Sequence, residues 1–361
     1  MALKYFRKTL AFVFLLFALS CDKGSDEEVY PNDYIEKAII NSWSEENNFT
    51  EDRIGGGFKG FPYSDIIHNG TYNVSTRGEL LNALHIAKQG EVIYVKGRAR
   101  IDLSGLRNLR IPDGVILASD RGHNGSEGAV LYTQDLNTKP LFLIEGSKVR
   151  ITGLRIFGPD NQHRSSAYEL PNSRGIQCSG ASDVEIDNCE IASWSHAGIA
   201  LFDQSFDISI HHNYIHHCRR TGLGYGVVHD GSKSSIVANL FDFNKHSIAG
   251  TGIPGTSYSA VLNVCLKNET YTHSFDMHGC GEAKNCPSGK KWVAGDEIYV
   301  KYNTFYSKDF VAINIRGNPD SGVWVNENWF LHDSPEKALI LGDLNKFVSN
   351  NYFGPERRFV E

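Results

Sequence analysis

The sequence predicts a right-handed parallel β-helix, and three observations carry that prediction. A ten-residue phrase keeps returning: VRITGLRIFG at 149–158, VEIDNCEIAS at 184–193, ISIHHNYIHH at 208–217 and SIVANLFDFN at 235–244. It returns again as IYVKYNTFYS at 298–307, VWVNENWFLH at 323–332 and KFVSNNYFG at 346–354. One column of the phrase holds Cys189, Asn213, Asn239, Cys265, Asn303, Asn328 and Asn351, at gaps of 24, 26, 26, 38, 25 and 23 residues. A period of this size marks stacked units, none of which can bury its apolar face alone. Inside the phrase the alternation has period two (Ile208 and Ile210, then Ile215), so the units are strands. Strands stacked coil upon coil in parallel make the β-helix. The Asn column has a physical reason, because a side-chain amide at a turn inside the stack bonds the coils above and below it.

The first 21 residues read as a secretory leader. Lys4, Arg7 and Lys8 precede an apolar run from Leu10 to Leu19, too short to span a membrane as a mature helix. Phe17-Ala18-Leu19-Ser20-Cys21 resembles a bacterial lipobox, which implies a lipidated Cys21 as the first mature residue. The following Asp22-Lys23-Gly24-Ser25-Asp26-Glu27-Glu28 resembles the acidic export tag of surface lipoproteins in a Gram-negative group rich in polysaccharide degraders. The expected address is the outer membrane, cell-surface exposed, with contact to the membrane through the lipid only. Residues 22–53 read as a polar tether, and 54–361 as one β-helix domain, a single solenoid and a monomer. The net charge is −6 with no basic stripe, which excludes an electrostatic footprint for nucleic acid.

Residues 54–61 form a Gly-rich lead-in. Thr76-x-x-Glu79 is a capping box that opens a short helix through Leu80, Leu81, Leu84 and Ala87, ending at Gly90. A helix here caps the open end of the solenoid, which otherwise exposes its core. Strands follow at 91–95, 101–103 and 114–117. Insertions at 159–173 and 279–294 lengthen two coils, and insertions in repeat folds map to loops on one face. After Cys21 six cysteines remain. Cys178, Cys189 and Cys265 fall at apolar or ladder positions, as small buried residues. Cys280 and Cys286 flank a short insertion and can pair in an oxidising compartment. There is no C-x-x-C pair and no zinc spacing.

The candidate chemistry sits on the second strand of each coil. Aligned on the terminal Gly, these strands are 225–231, 246–252, 273–279 and 311–317. Val227, Ile248, Phe275 and Ile313 form the column that faces the core. By strict alternation two neighbouring columns face solvent: Asp230, Thr251, His278 and Arg316, and Val228, Ala249, Asp276 and Asn314. With coils about 4.8 Å apart, Asp230, Asp276, His278, Asn314 and Arg316 fall within about 15 Å of each other. The same alternation places Tyr225, His246 and His273 on the core side, with His273 at a corner where it steadies His278 or Asp276. Lys245 reaches toward the cleft, and Tyr225 and Tyr258 are aromatics suited to stacking on sugar. His211, His212, His216 and His217 surround Asn213, but alternation splits them between faces and no carboxylate partner is evident.

Two reactions suit these residues. In β-elimination from a uronic acid polymer, Arg316 neutralises the carboxylate and the enolate-like charge. His278 or Lys245 takes the C5 proton, and Asp230 and Asp276 can bind calcium through hard oxygen ligands. In glycoside hydrolysis, Asp276 and Asp230 are the acid and base, two coils apart, as in inverting enzymes.

The order of helix, Gly90-Glu-Val-Ile-Tyr-Val-Lys-Gly97, Ile101-Asp-Leu-Ser-Gly105 and Leu109-Arg-Ile-Pro-Asp-Gly-Val-Ile-Leu117 resembles the start of pectate-lyase-like right-handed β-helix proteins. The resemblance spans roughly residues 54–354. It implies a carbohydrate-active enzyme, a polysaccharide lyase or a glycoside hydrolase. Ile315-Arg316-Gly317-Asn318-Pro319 with Val323-Trp-Val-Asn-Glu-Asn-Trp-Phe330 resembles the pectate lyase Arg-Pro segment and its downstream strand, with Asp320 near the place of that pattern's second Arg. Phe275-Asp-Met-His-Gly279 with Ile315-Arg316 resembles part of the polygalacturonase series, without its double-Asp segment and terminal Lys. The leading expectation is a lyase, with a hydrolase as the alternative. A non-catalytic glycan-binding surface protein is the reading from another class.

Overall fold

The computed structural model describes residues 54–56, 66–161, 171–269, 272–356 and 358–359. The leader, Cys21, the tether and the middle of the 159–173 insertion lie outside them. Each coil runs through three strands. Phe206–His211 belongs to a first sheet, Tyr214–His216 to a second and Tyr225–His229 to a third, and the chain then re-enters the first sheet at Lys233–Val237. Successive coils pair in parallel and in register, Ile210 with Ile236, Ile215 with Phe241 and Val227 with Ile248. Among the described residues the three sheets hold eleven, eleven and nine strands. The architecture is the expected parallel β-helix.

The interior is a set of columns rather than a jigsaw. Phe241, Phe275, Phe305, Phe330 and Phe353 follow one another down the core, with Phe275 edge-on to Phe305 at 4.9 Å and Phe305 stacked on Phe330 at 5.0 Å. Val227, Ile248, Phe275 and Ile313 are fully buried. The helix Arg77–Ile86 begins at the expected capping box. Its Leu80, Ala83 and Leu84 are buried over the first coils. The Thr76 N–H donates to Glu79 Oε2 at 3.0 Å, and the Glu79 N–H to Thr76 Oγ1 at 3.3 Å.

The Asn ladder exists with one change of member. Its residues are Asn213, Asn239, Asn263, Asn303, Asn328 and Asn351, so Asn263 stands where the phrase alignment puts Cys265. Asn239 shows the unit. Its Oδ1 accepts the Asn213 N–H at 3.0 Å, and its Nδ2 donates to the Ile210 carbonyl at 2.9 Å and to Asn263 Oδ1 at 3.1 Å. Cys265 lies two residues further on, inside the core. It has no amide with which to bridge coils. The residues preceding these asparagines (His212, Ala238, Leu262, Tyr302, Glu327 and Asn350) all take left-handed backbone with φ between 52° and 58°. That conformation costs a non-glycine roughly 1–2 kcal/mol. The ladder's buried bonds offset the cost at every turn.

Of the Gly-rich lead-in, residues 57–61 lie outside the described residues, and residues 54–56 lie against the middle coils. Ile54 packs among Ala238, Leu240, Leu262 and Val264, and the Gly55 N–H donates to the Ala238 carbonyl at 2.8 Å. Gly56, at φ +55°, passes so close that a Cβ would sit 2.5 Å from the His212 carbonyl oxygen. Residues 54–56 therefore strap the outside of the middle coils.

Candidate active site

The third sheet departs from strict alternation, and the departure builds the site. Pairing runs Tyr225 to His246 and Val227 to Ile248, skipping the residue between. That residue, Ser247, turns inward beside Cys265, where its Oγ donates to the buried Glu269 at 3.1 Å. Its neighbour Ile248 is also in the core. Two successive inward residues act as a bulge, which re-aims the side chains on either side. Tyr225, His246 and His273 consequently stand on the outer face with Val228, Ala249 and Asp276, which corrects their core-side placement by simple alternation. They form a stack along the coils, with ring centroids 5.9 Å apart from Tyr225 to His246 and 4.0 Å from His246 to His273.

Asp276 is the centre of the cluster. It is 0% exposed, although its column was expected to face solvent. Arg316 covers it, with Nε donating to Oδ1 at 3.1 Å and Nη2 to Oδ2 at 2.6 Å. His278 Nε2 lies 2.9 Å from Oδ2, His273 Nε2 3.3 Å from Oδ1 and His246 Nε2 3.9 Å from Oδ2. Glu282 closes the outer side, accepting from Arg316 Nη1 at 3.0 Å and lying 3.2 Å from His278 Nδ1. Beneath, Lys245 Nζ approaches His246 Nε2 at 2.5 Å and sits 5.5 Å over the Tyr225 ring. The other nitrogen of His246 is 2.6 Å from the His273 carbonyl, an arrangement in which Nδ1 carries the proton and Nε2 receives the lysine.

The charges follow from this packing. Burial alone would raise the Asp276 carboxyl, but the His273 and His278 imidazoles and the Arg316 guanidinium beside it outweigh that and hold the group well below the usual carboxylate range. Burial disfavours charge on Lys245. The Asp276 charge opposes that effect and the Arg316 charge adds to it, and the amine comes down to about 8. Burial takes His246 well below the ordinary imidazole value, with Asp276 opposing and Lys245 and His273 reinforcing the shift. At neutral pH the site therefore holds a fixed carboxylate, a fixed guanidinium, a neutral imidazole and an amine close to its own titration point.

The other expected residues are placed as follows. Asp230, Thr251, His278 and Arg316 are backbone neighbours coil by coil, as expected. Asp230 accepts from Thr251 Oγ1 at 2.9 Å, two coils from His278. Asn314 pairs with Asp276 across the sheet, its Nδ2 3.5 Å from His273 Nδ1. Tyr258 does not offer a face to sugar. It is 1% exposed, packed in the core from the first sheet with its ring 5.7 Å from that of His229. Cys280 and Cys286 form a disulfide in the 279–294 insertion, and Cys178, Cys189 and Cys265 are buried thiols together with Cys218.

Two things were not read from the sequence. Glu282 belongs to the site, and its signals were its place four residues after His278 and the disulfide that pins its loop. The His pairs on the second turn do have carboxylate partners on the preceding coil: His211 Nε2 is 3.0 Å from Glu185 and His216 Nε2 3.3 Å from Glu190. The left-handed backbone of His212 and His217 defeats alternation, and each histidine contacts its neighbour's ring.

Among the described residues one group has metal-ligand types converging: His246, His273 and Asp276, with ligand atoms within 4.8 Å of one another. Lys245 and Arg316 already bring two positive charges to those atoms, and a cation would have to displace both. Calcium on Asp276 and Asp230 meets the same obstacle at Asp276, whose two oxygens Arg316 occupies.

The family described as a right-handed β-helix region matches residues 91–266. None of the curated proteins is a sequence match. Among solved structures, an exopolygalacturonase of family 28 from Yersinia enterocolitica superposes with a TM-score of 0.50 at 12% identity, covering 80% of this chain and 64% of that one. This chain thus spans less than two thirds of that protein. An alginate lyase from Paenibacillus sp. str. FPU-7 gives a TM-score of 0.44 at 16% identity, over 78% of this chain and 98% of that one. An endo-xylogalacturonan hydrolase from Aspergillus tubingensis gives 0.49 at 11% identity, over 78% and 90%. At these identities the likeness is one of fold. With its three parallel sheets and its Asn-laddered turns, the chain has the fold of a right-handed parallel β-helix, and the matched region covers just under half of it.

Proposed function

We propose that the protein is a polysaccharide lyase that cleaves a uronic-acid-containing polymer by β-elimination on the outer face of the third sheet. The observation that carries the reading is the pairing of a fixed Asp276–Arg316 couple with Lys245, an amine brought to about 8 beside it. A base is most effective when its pKa lies near the working pH. Lys245 Nζ takes the C5 proton, the C5–H electrons become the C4=C5 double bond, and the C4–O bond breaks with its electrons on oxygen. His278, at the surface, returns a proton to that oxygen. Arg316 and Asn314 face the uronate carboxylate and the charge that builds on it. Asp276 orients Arg316 and His278 and has no proton to give, which argues against its use as the acid of a hydrolase. Carbohydrate chemistry on this fold has a precedent in the Yersinia exopolygalacturonase.

The reading includes the lipid anchor at Cys21, which would hold the enzyme at the outer surface beside polymers too large to import. Calcium has no step in it, so chelation leaves turnover unchanged. The test is a panel of uronic and neutral polysaccharides, followed by ultraviolet absorbance and by reducing ends together. New absorbance on a polyuronate, lost in Lys245→Ala and Arg316→Ala, is the expected result. Reducing ends without absorbance would overturn elimination in favour of hydrolysis, and silence in both channels would favour a glycan-binding protein.

A further inference from the structure

The first sheet carries a second feature that the site above does not use. Its outward column runs Ser209, Ser235, Ser259, Tyr299, Trp324 and Phe347, paired coil to coil. The three rings are stacked face to face, with centroids 4.5 and 5.1 Å apart and planes within 12° of parallel. Tyr299 is 39% and Phe347 50% exposed. A face-to-face stack along the solenoid leaves edges to solvent and one open ring face at each end. The Tyr299 end looks onto a groove of about 480 Å³, floored by Ser209, Ser235 and Ser259 and flanked by Asp207, Lys233 and Glu297. The volume is that of a small-molecule site.

Exposed aromatics on a soluble β face call for an explanation, since a patch of this kind usually marks a binding surface. Other outward positions of the same column are polar: Arg150 and Glu185 pair with each other at 3.3 Å. The serine hydroxyls of the floor make no hydrogen bond within the protein among the described residues, whereas Ser234 beside them holds His229 at 2.7 Å. The groove thus offers free hydroxyl donors and acceptors at coil spacing, closed at one end by a flat apolar ring. That combination suits a pyranose chain, whose C–H face packs on an aromatic ring while its hydroxyls bond along the floor.

Charge narrows the occupant. Lys233 is 3.3 Å from Asp296, so the one cation of the groove is already neutralised, and Asp207 and Glu297 leave the lining net negative. A polyuronate would be repelled here, in contrast to the Arg316 face. We infer that the first sheet bears a binding site for a neutral glycan chain, separate from the third-sheet site, with Tyr299 as its stacking platform and Ser209, Ser235 and Ser259 as its polar floor.

The test is affinity electrophoresis and calorimetry on the full chain with cellohexaose, xylohexaose, mannohexaose and a galacturonate hexamer. Two surface variants, Tyr299→Ala and Ser235→Glu, are compared with Arg316→Ala, and unchanged circular dichroism checks their folding. The expected result is binding of at least one neutral hexamer, weakened tenfold or more by Tyr299→Ala and by Ser235→Glu and unaffected by Arg316→Ala. No binding of any neutral hexamer would overturn the inference. So would binding lost in Arg316→Ala but kept in Tyr299→Ala, or a preference for the galacturonate hexamer that survives both first-sheet changes. Because the readout is binding on a different sheet, its outcome is independent of whether the third-sheet site is a lyase.

Discussion

Replacing Arg316 with alanine probes both the architecture of the candidate site and its chemistry. The guanidinium makes two bonds to Asp276, at 3.1 and 2.6 Å, and one to Glu282 at 3.0 Å. Without it, Asp276 loses both guanidinium bonds and keeps only imidazoles beside it. Breaking a buried ion pair costs roughly 3–5 kcal/mol when the survivor stays charged. The Arg316 side chain is 29% exposed, so water can enter the space it leaves, and about 2–3 kcal/mol is the expected loss. In a chain of this size that is a fall of about 3–5 °C in Tm. A solenoid confines the damage to neighbouring coils, so the fold survives. Turnover should drop about 10²–10³-fold, as when a preorganised charge is removed from a developing anion.

The pH dependence gives the sign. The folded Asp276 carboxyl lies well below its unfolded value of about 4, so its contribution is complete above that value and is lost as pH falls through the folded one. The gap in Tm between wild type and Arg316→Ala should therefore be level from about pH 8 to about pH 5 and narrow on further acidification. Thermal melts by circular dichroism over that range, with ultraviolet assays on a polyuronate, measure both effects. An Arg316→Ala protein with wild-type Tm and wild-type turnover would refute the assignment of the Asp276–Arg316 couple as the centre of the site.

Three further outcomes are expected. The kcat/KM profile should climb with pH and level above about 8, where Lys245 loses its proton; Lys245→Arg should abolish that limb and lower turnover by at least about 100-fold. Asn263→Ala strands the Asn239 N–H and the Ile236 carbonyl in the stack and should cost about 2–4 kcal/mol in urea unfolding, against about 1 kcal/mol for Cys265→Ala. Burial raises Glu269 to about 8, against the opposing hydrogen bonds of Ser274 and Ser247 and with help from Asp242, so its share of stability is full below about pH 4.5 and lost as pH rises through about 8. Glu269→Gln keeps an acceptor for one serine and removes the titration, so melts from pH 5 to 9 should flatten relative to wild type.

The solenoid was legible because its signals are local and repeated. Period-two alternation and an amide at each turn recur in every coil, and a misplaced member such as Cys265 does not disturb the period. The face of each side chain was less legible, because strict alternation holds only where no bulge intervenes. Ser247 carries no mark in the sequence that it faces inward. What turns it in is Glu269, a carboxyl 22 residues away that needs hydroxyl partners inside the core. The histidine pairs at 211–212 and 216–217 escaped for the same kind of reason, since the left-handed residue at each turn is imposed by the ladder and not by its own identity.

The bulge is also what makes a proton-transfer site on an otherwise flat sheet. A regular strand would alternate His246 and Ala249 onto opposite faces and leave Asp276 with Arg316 and His278 alone. With one residue turned inward, the His246–His273 stack slides under the carboxylate, and Lys245 is carried from the corner to within 2.5 Å of His246. Burial then lowers the amine, and the nearby guanidinium lowers it further. The insertion at 279–294 adds Glu282 from above and keeps the outer side of Arg316 and His278 in place. Groups from coils up to 71 residues apart in sequence, Lys245 and Arg316 the most distant, thus share one carboxylate. His246, His273 and Asp276 lie on strands, and Lys245, His278 and Arg316 sit at the residue next to a strand end, so the rigid sheet holds most of the constellation in place between turnovers.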